Sequence, residues 1–260
     1  MTQLAIIIPY YKLNYFKATL DSLSSQTDKR FSVYIGNDCS PQNPEDLIQS
    51  YEGKFPIVYK RFKNNLGGKY LTKQWDRCIE LSAKEEWMMI LGDDDTISEN
   101  YVEEFYKNLK IAEEKNIQVI RFASKLIDED GKSISDLYTN PELELAATSY
   151  IRTLKGNGRS TLTEHIFSRK TYKKYGFKEF PVAFGSDNVA WLEFPEMREI
   201  FSINNAFANI RISRDHLSSK ADDNLKKQRK QGIYQFNRYI IANYAKYFAV
   251  SYTHLRAHET

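Results

Sequence analysis

Three consecutive carboxylates, Asp93-Asp94-Asp95, follow a single glycine at the end of the apolar run Trp87-Met88-Met89-Ile90-Leu91. Adjacent negative charges raise one another's pKa unless something positive joins them. A hard divalent cation, Mg2+ or Mn2+, takes oxygen ligands of this kind. A short acidic run is also an ordinary solvated turn, so its meaning depends on what surrounds it. Two further segments suit a nucleotide. Pro9-Tyr10-Tyr11 offers flat rings, and Asp38 is a lone carboxylate in the polar turn Asn37-Asp38-Cys39-Ser40-Pro41. A ring, a carboxylate and a metal-binding triplet match a base, a ribose or base edge, and a diphosphate.

These groups need a scaffold that brings them together. Leu4 to Ile8 and Trp87 to Leu91 are continuous apolar runs of strand length, the pattern of strands buried on both faces of a parallel sheet. Phe31 to Gly36 and Ile57 to Phe62 read as two more strands. Helices are expected after Asn14, which would cap a face of Phe16, Leu20 and Leu23, over about Pro44 to Tyr51, and over about Tyr70 to Ala83. Ser98 would cap a fourth helix, with Val102, Phe105, Leu109 and Ala112 facing inward. Ile117 to Ile127 is strand-like and closes on the turn Asp128-Glu129-Asp130-Gly131. Four strand–helix alternations in the first 125 residues imply an α/β fold with a doubly wound, mostly parallel sheet and helices on both faces. Ligands in such folds sit outside the carboxyl ends of the strands, where the three groups fall.

The second half is less regular. Pro141 to Leu154 reads as helical, Gly156-Asn157-Gly158 breaks it, Asp187 to Phe194 forms a short helix, and Ile203 to Ile212 contains a strand. Leu225 to Phe248 is a basic amphipathic segment with Ile233, Phe236, Ile240 and Tyr244 on one face. It reads as a helix packed on the domain; its basic face also suits the surface of an anionic membrane.

The chain has 260 residues, 42% of them hydrophobic, enough for one large domain. Its net charge of +3 is too small to argue for a nucleic-acid partner. Two cysteines without metal spacing, and no visible signal peptide or spanning segment, fit a cytoplasmic protein. Residues 250–260 look like the in-frame translation of a sequencing-library adapter and are expected to be foreign to the natural chain.

With Ala5-Ile-Ile-Ile-Pro-Tyr-Tyr11, Ile35-Gly-Asn-Asp-Cys-Ser40, Asn65-Leu-Gly-Gly68, Ile90-Leu-Gly-Asp-Asp-Asp95 and Phe184-Gly-Ser-Asp-Asn-Val-Ala-Trp191 in this order, the chain resembles a bacterial family 2 glycosyltransferase of the GT-A fold. The resemblance covers most of residues 4 to 215. It implies a glycosyltransferase domain over 1–215, with a nucleotide-binding half to about 125 and an acceptor half from 126, followed by a helical segment over 216–249. It also implies an inverting, metal-dependent transfer from a nucleotide-diphosphate sugar to a glycan or lipid-linked acceptor hydroxyl, in the synthesis of a cell-surface polysaccharide or lipopolysaccharide.

Residue by residue, the resemblance makes Pro9, Tyr10, Tyr11, Asp38, Gly67, Lys69 and Asp93 nucleotide-binding candidates. Asn37 stands where the family's first turn carboxylate would be. Asp94 becomes the principal metal ligand, with Asp95 beside it, and Gly92 replaces the family's first acidic position. Asp187 matches the general base, although an Asp at a helix start is also a common N-cap; Glu193 and Asp215 are the next candidates. The family's metal-site histidine aligns with Ser213, with His216 three residues further on, and His165 is a candidate for the acceptor cleft. Arg61, Lys63 and Lys69 are loop cations within reach of a phosphate. Two other functions remain open: a metal-dependent phosphotransferase, and a sugar-nucleotide-binding module without turnover. The first would place a nucleophilic Asp after the first strand, where Pro9-Tyr10-Tyr11 stands.

Overall fold

The computed structural model describes residues 3–82, 84–213 and 223–257, with side chains in the last stretch to residue 248. Four parallel strands form one half of a mixed nine-stranded sheet: β3 (Ile57–Arg61), β2 (Phe31–Asn37), β1 (Leu4–Tyr10) and β4 (Trp87–Ile90), in that spatial order. The sheet continues through β8 (His165–Ser168), β6 (Val119–Ile127), β9 (Glu199–Arg211) and β5 (Thr96–Ile97), while β7 (Leu143–Leu145) pairs with the start of β9. β6 and β9 run parallel. β8 is antiparallel to both of its neighbours, β4 and β6. The expected mostly parallel sheet is present, with β8 reversed at its centre and β5 and β7 reversed against β9.

The side-chain period of two along each strand sorts the core into two layers. Leu4, Ile6 and Ile8 of β1 face α1 (Phe16–Ser24) and α4 (Tyr101–Glu114), together with Met89, Ile120, Phe122 and Ile166. Ala5 and Ile7 face the other way, onto α3 (Leu71–Ile79) and α7 (Ser186–Glu193), with Met88, Ile90 and Phe167. Strands packed on both sides have no solvent face, which is why their sequences carry no polar alternation.

Several local expectations are corrected. Tyr15, not Asn14, occupies the N-cap of α1, and Asn100, not Ser98, that of α4. Ser98 instead binds β9: its hydroxyl accepts from Phe207 N at 3.1 Å and its N–H donates to Phe207 O at 2.9 Å. The helix expected from Pro141 starts only at α5 (Ala146–Leu154), because Leu143–Leu145 pairs with β9. That pairing delivers Glu144 to two arginines, Arg121 at 2.9 Å and Arg152 at 2.8 Å.

The basic terminal segment forms α8 (Asp223–Ala257), which is continuous through the boundary expected near residue 249. Phe236 and Ile240 are buried, as expected, but Ile233 is 40% exposed and Gly232 takes the contact position in its place. A Cβ on Gly232 would lie 2.6 Å from Pro181 O, so helix and backbone touch directly there. Glu193, weighed as a reserve base, is instead the anchor of α8. Its Oε1 accepts from the Tyr239 and Tyr244 hydroxyls at 2.6 and 2.7 Å, and its Oε2 lies 3.2 Å from Lys178 Nζ. Among the described residues, no helix is long and apolar enough to cross a membrane.

Candidate active site

The sheet order reverses between β1 and β4: from β1 the chain goes first to β2 on one side and later to β4 on the other. That is the switch point where open α/β sheets leave a crevice. The carboxyl ends of the two strands are tied together across it. Asp93 Oδ2 accepts from both Tyr11 N and Lys12 N at 2.7 Å. Burial, and next the charge of Asp94, push the Asp93 carboxyl up to about 6, while the two backbone donors pull it down.

The other two acids of the triplet diverge. Asp95 turns inward: Oδ2 accepts from Thr163 Oγ1 at 2.5 Å, Oδ1 from Arg211 N at 2.9 Å, and its carbonyl from Thr19 Oγ1 at 2.8 Å. Burial and then Asp94's charge raise its pKa. Asp94 stays half-buried at the crevice. A Cβ on Gly92 would come 3.0 Å from Asp95 Oδ2 and 3.1 Å from Asp94 Oδ1, so a glycine keeps the acids folded back against the strand end.

Among the described residues no three His, Cys, Asp or Glu side chains converge as a ligand set. The chemistry present fits a narrower mode, in which Mg2+ is held by one or two carboxylates and completes its shell with phosphate oxygens and water. Asp94 would be the ligand and Asp93 its neighbour; both oxygens of Asp95 already accept bonds from the protein. His216 and Asp215 lie outside the described residues, and Ser213, at the aligned histidine position, is buried.

Of the nucleotide-binding candidates, Tyr11 is 42% exposed at the mouth of the crevice. Tyr10 does not line it. Its ring is fully buried against Phe16, centroids 4.8 Å apart, and its hydroxyl donates to Gln42 O at 3.0 Å. Tyr10 ends a strand whose alternate residues face the core, so its side chain supports the crevice from below. Pro9 is half-buried beside Gly36, and Lys69 is exposed with its ammonium 5.0 Å from the Tyr70 ring centroid. Arg61 and Lys63 are exposed.

Asp38 is buried at the end of β2 and organises the following loop. It accepts from Leu66 N at 2.7 Å and Gly67 N at 2.8 Å, and it pairs with Arg77 of α3. Gly67 is thus placed by Asp38. Asn37, which stands where the family's first turn carboxylate would be, accepts from Ser40 N at 2.8 Å and donates to Tyr59 Oη at 2.9 Å. Asp38→Ala would strand the Arg77 charge and two backbone donors. A loss of about 3–5 kcal/mol is expected, the scale for removing one partner of a buried ion pair, and thermal denaturation with nucleotide titration reads it. An unchanged melting temperature would contradict this role.

Asp187 lies in the first turn of α7, two positions past its N-cap. The cap is Gly185, at φ +73°, a left-handed conformation that a glycine adopts without strain. The N–H groups of Asn188 and of Asp187 itself pull the carboxyl down, but burial dominates and pushes its pKa up to about 6. The charge of Glu164 adds to the rise.

Glu164 and Thr163 are the residues the sequence reading missed. Thr163 holds Asp95, and the charge of Glu164 is felt by both Asp95 and Asp187. The segment 161–165, entering the reversed strand β8, therefore brings the acid triplet and α7 together. The signal available was a Thr-Glu pair immediately ahead of an apolar strand, where a buried carboxylate needs a reason. His165 does not reach an open cleft: it is 1% exposed, stacked on Trp191 with centroids 4.0 Å apart, and its Nδ1 lies 2.7 Å from Thr161 O.

This geometry has relatives. An uncharacterized glycosyltransferase of Rickettsia prowazekii is 24% identical over 203 residues, covering 76% of this chain and 60% of that protein. One of Haemophilus influenzae is 34% identical over 93 residues, covering 35% of this chain and 29% of that protein. The chain thus spans only 60% of the length of the Rickettsia relative. Among solved structures, S. aureus TarS 1–349 in complex with UDP-GlcNAc matches with a TM-score of 0.64 at 18% identity, covering 87% of this chain and 64% of that one. Its complex with UDP matches at 0.62 and 16% identity, covering 94% and 73%. At such identities the likeness is one of fold. The sequence profile of glycosyl transferase family 2 matches residues 5–181, more than half of the chain, and this protein belongs to that family.

Proposed function

We propose that the protein transfers a sugar from a nucleotide-diphosphate donor to an acceptor hydroxyl, with inversion at the anomeric carbon. The observation that carries this reading is a half-buried carboxylate with a raised pKa, Asp187, joined through the 161–165 segment to an acid triplet at the switch point of the sheet. The two roles need different electrostatics. A base at neutral pH needs a pKa near the working range, which burial gives Asp187. Asp187 would take the proton of the acceptor hydroxyl as that oxygen bonds to the anomeric carbon and the bond to the diphosphate breaks. One displacement needs one base and no covalent intermediate. Tyr11 and the Asp38-held loop would receive the nucleoside, and Asp94 a Mg2+ or Mn2+ ion. That ion, when bound, neutralises charge developing on the leaving diphosphate.

The TarS neighbours bound to UDP-GlcNAc and UDP make UDP-GlcNAc a sensible first donor to test. Incubation with UDP-GlcNAc and Mn2+ should release UDP slowly even without acceptor, water taking its place. Release no faster than in a protein-free control, with UDP still bound, would leave the binding-module reading instead. A glycan or lipid-linked acceptor is proposed. Lys227, Lys230 and Arg238 share the solvent side of α8 with Tyr234 and Ile241, which are 64% and 68% exposed, a face that suits contact with an anionic membrane surface.

A further inference from the structure

We propose that Arg159 binds the diphosphate of the donor, an assignment that rests on the glycosyl-transfer reading above. Of the other arginines around the crevice, Arg61 is exposed to solvent at the end of β3, and the rest are committed to the protein. Arg77 is paired with Asp38, and Arg121 and Arg152 close on Glu144. Arg211 spreads over the carbonyls of Asp94, Asp128 and Glu129 at 2.7–3.0 Å. Arg159 differs. It is half-buried, its Nε is shielded from solvent without a hydrogen-bond partner, and among the described residues its guanidinium makes no ion pair. A shielded N–H without an acceptor is unfavourable, so a partner from outside the chain would relieve a cost already present.

The loop that carries Arg159 is fixed on both sides. Two residues before it, Asn157 O accepts from Arg152 Nη1 at 3.1 Å. Two residues after it, Thr161 N donates to Glu164 Oε1 at 2.6 Å, and Thr161 O lies 2.7 Å from His165 Nδ1. The next residue, Ser160, lines a small polar cavity with Asn188, the neighbour of Asp187. Thr163 then reaches Asp95. The loop enters the antiparallel strand β8, so it stands at the carboxyl end of the parallel strands, between the acid triplet and α7.

Charge balance points to the same ligand. Where this loop enters β8, the charge of Glu164 acts on both Asp95 and Asp187 and that of Asp94 on Asp93 and Asp95, and a nucleoside diphosphate would add more negative charge. One divalent cation cannot offset all of it. A guanidinium offers paired donors at the spacing of phosphate oxygens and stays charged at any working pH.

The test is calorimetric titration of the full chain with UDP, inorganic pyrophosphate and uridine at fixed Mn2+, for wild type, Arg159→Gln and Arg159→Lys. In Arg159→Gln the affinities for UDP and pyrophosphate should fall about 10- to 100-fold, the scale of losing hydrogen bonds to a charged group. Arg159→Lys should recover part of the loss. Uridine affinity and melting temperature should not fall, because the side chain has no internal partner to lose. Equal UDP affinity in wild type and Arg159→Gln would overturn the assignment and leave glycosyl transfer standing. A matching loss of uridine binding and melting temperature would make Arg159 structural and overturn it too. Failure of the wild type to bind any of the three would remove both proposals.

Discussion

Asp187→Asn is expected to lower glycosyl transfer by about two to four orders of magnitude, the range for removing a general acid or base, with nucleotide affinity close to wild type. Asn keeps the shape and a hydrogen-bonding oxygen but cannot accept the proton. A cap role would predict survival of activity, but Gly185 holds the cap and Asp187 sits inside the first turn. The expected pH behaviour separates the two further. The carboxyl is raised from 3.8 to about 6, first by burial and then by the charge of Glu164, against the pull of two backbone N–H groups. Its ionised form is thus disfavoured in the folded protein. Turnover should rise about tenfold per pH unit below 6 and level off above, as the base form fills. Stability has the opposite sign. The folded state binds the proton more tightly than the unfolded chain, so this group's contribution is present below about 4 and is lost as pH rises towards 6. In Asp187→Asn that loss should vanish, and the melting temperature at pH 7 should equal or exceed wild type. Near-native turnover in the variant, or a flat pH–rate profile through 6, would move the base elsewhere.

What the sequence revealed and hid follows from burial. β1 and β4 were legible because strands covered on both faces carry uninterrupted apolar residues, and the two strands lie side by side as their runs implied. The second half was harder, because its polar residues are recruited by distant partners. Glu144 reads as a helical residue until Arg121 and Arg152 are seen to claim it from strand β7. Glu193 reads as a reserve base until two tyrosines of α8 close on it. Tyr10 and Tyr11 are neighbours of one type, yet the first is the buried last residue of β1 and the second lies past the strand end, exposed. Asp38 was identified as a functional carboxylate, but its loop-holding bonds to Leu66 and Gly67 depend on a contact 28 residues away, which no local pattern encodes. The reversed strand β8 has the same origin: four apolar-rich residues do not state their direction, and only the sheet gap between β4 and β6 decides it.

Within the acid triplet, neighbouring substitutions should have opposite signatures. Asp95→Ala removes the acceptor of Thr163 Oγ1 and Arg211 N, both buried. Each stranded donor costs about 1–3 kcal/mol, so the melting temperature should drop, and the 161–165 segment should loosen from the crevice. Asp94→Ala leaves those bonds intact. It also removes a negative charge that raises the pKa values of Asp93 and Asp95. Its effect should fall on binding: calorimetry with UDP should show the wild-type affinity dropping when EDTA replaces Mn2+, and Asp94→Ala should bind as weakly with Mn2+ as without. The two measurements are independent. An Asp94→Ala protein that still gains affinity from Mn2+ would assign the cation to other groups, and an Asp95→Ala protein that melts like wild type would remove the latch between the triplet and β8. Equal wild-type affinity with and without EDTA would leave the acid cluster without a metal role, and the charge of the leaving diphosphate would then have to be met by side chains.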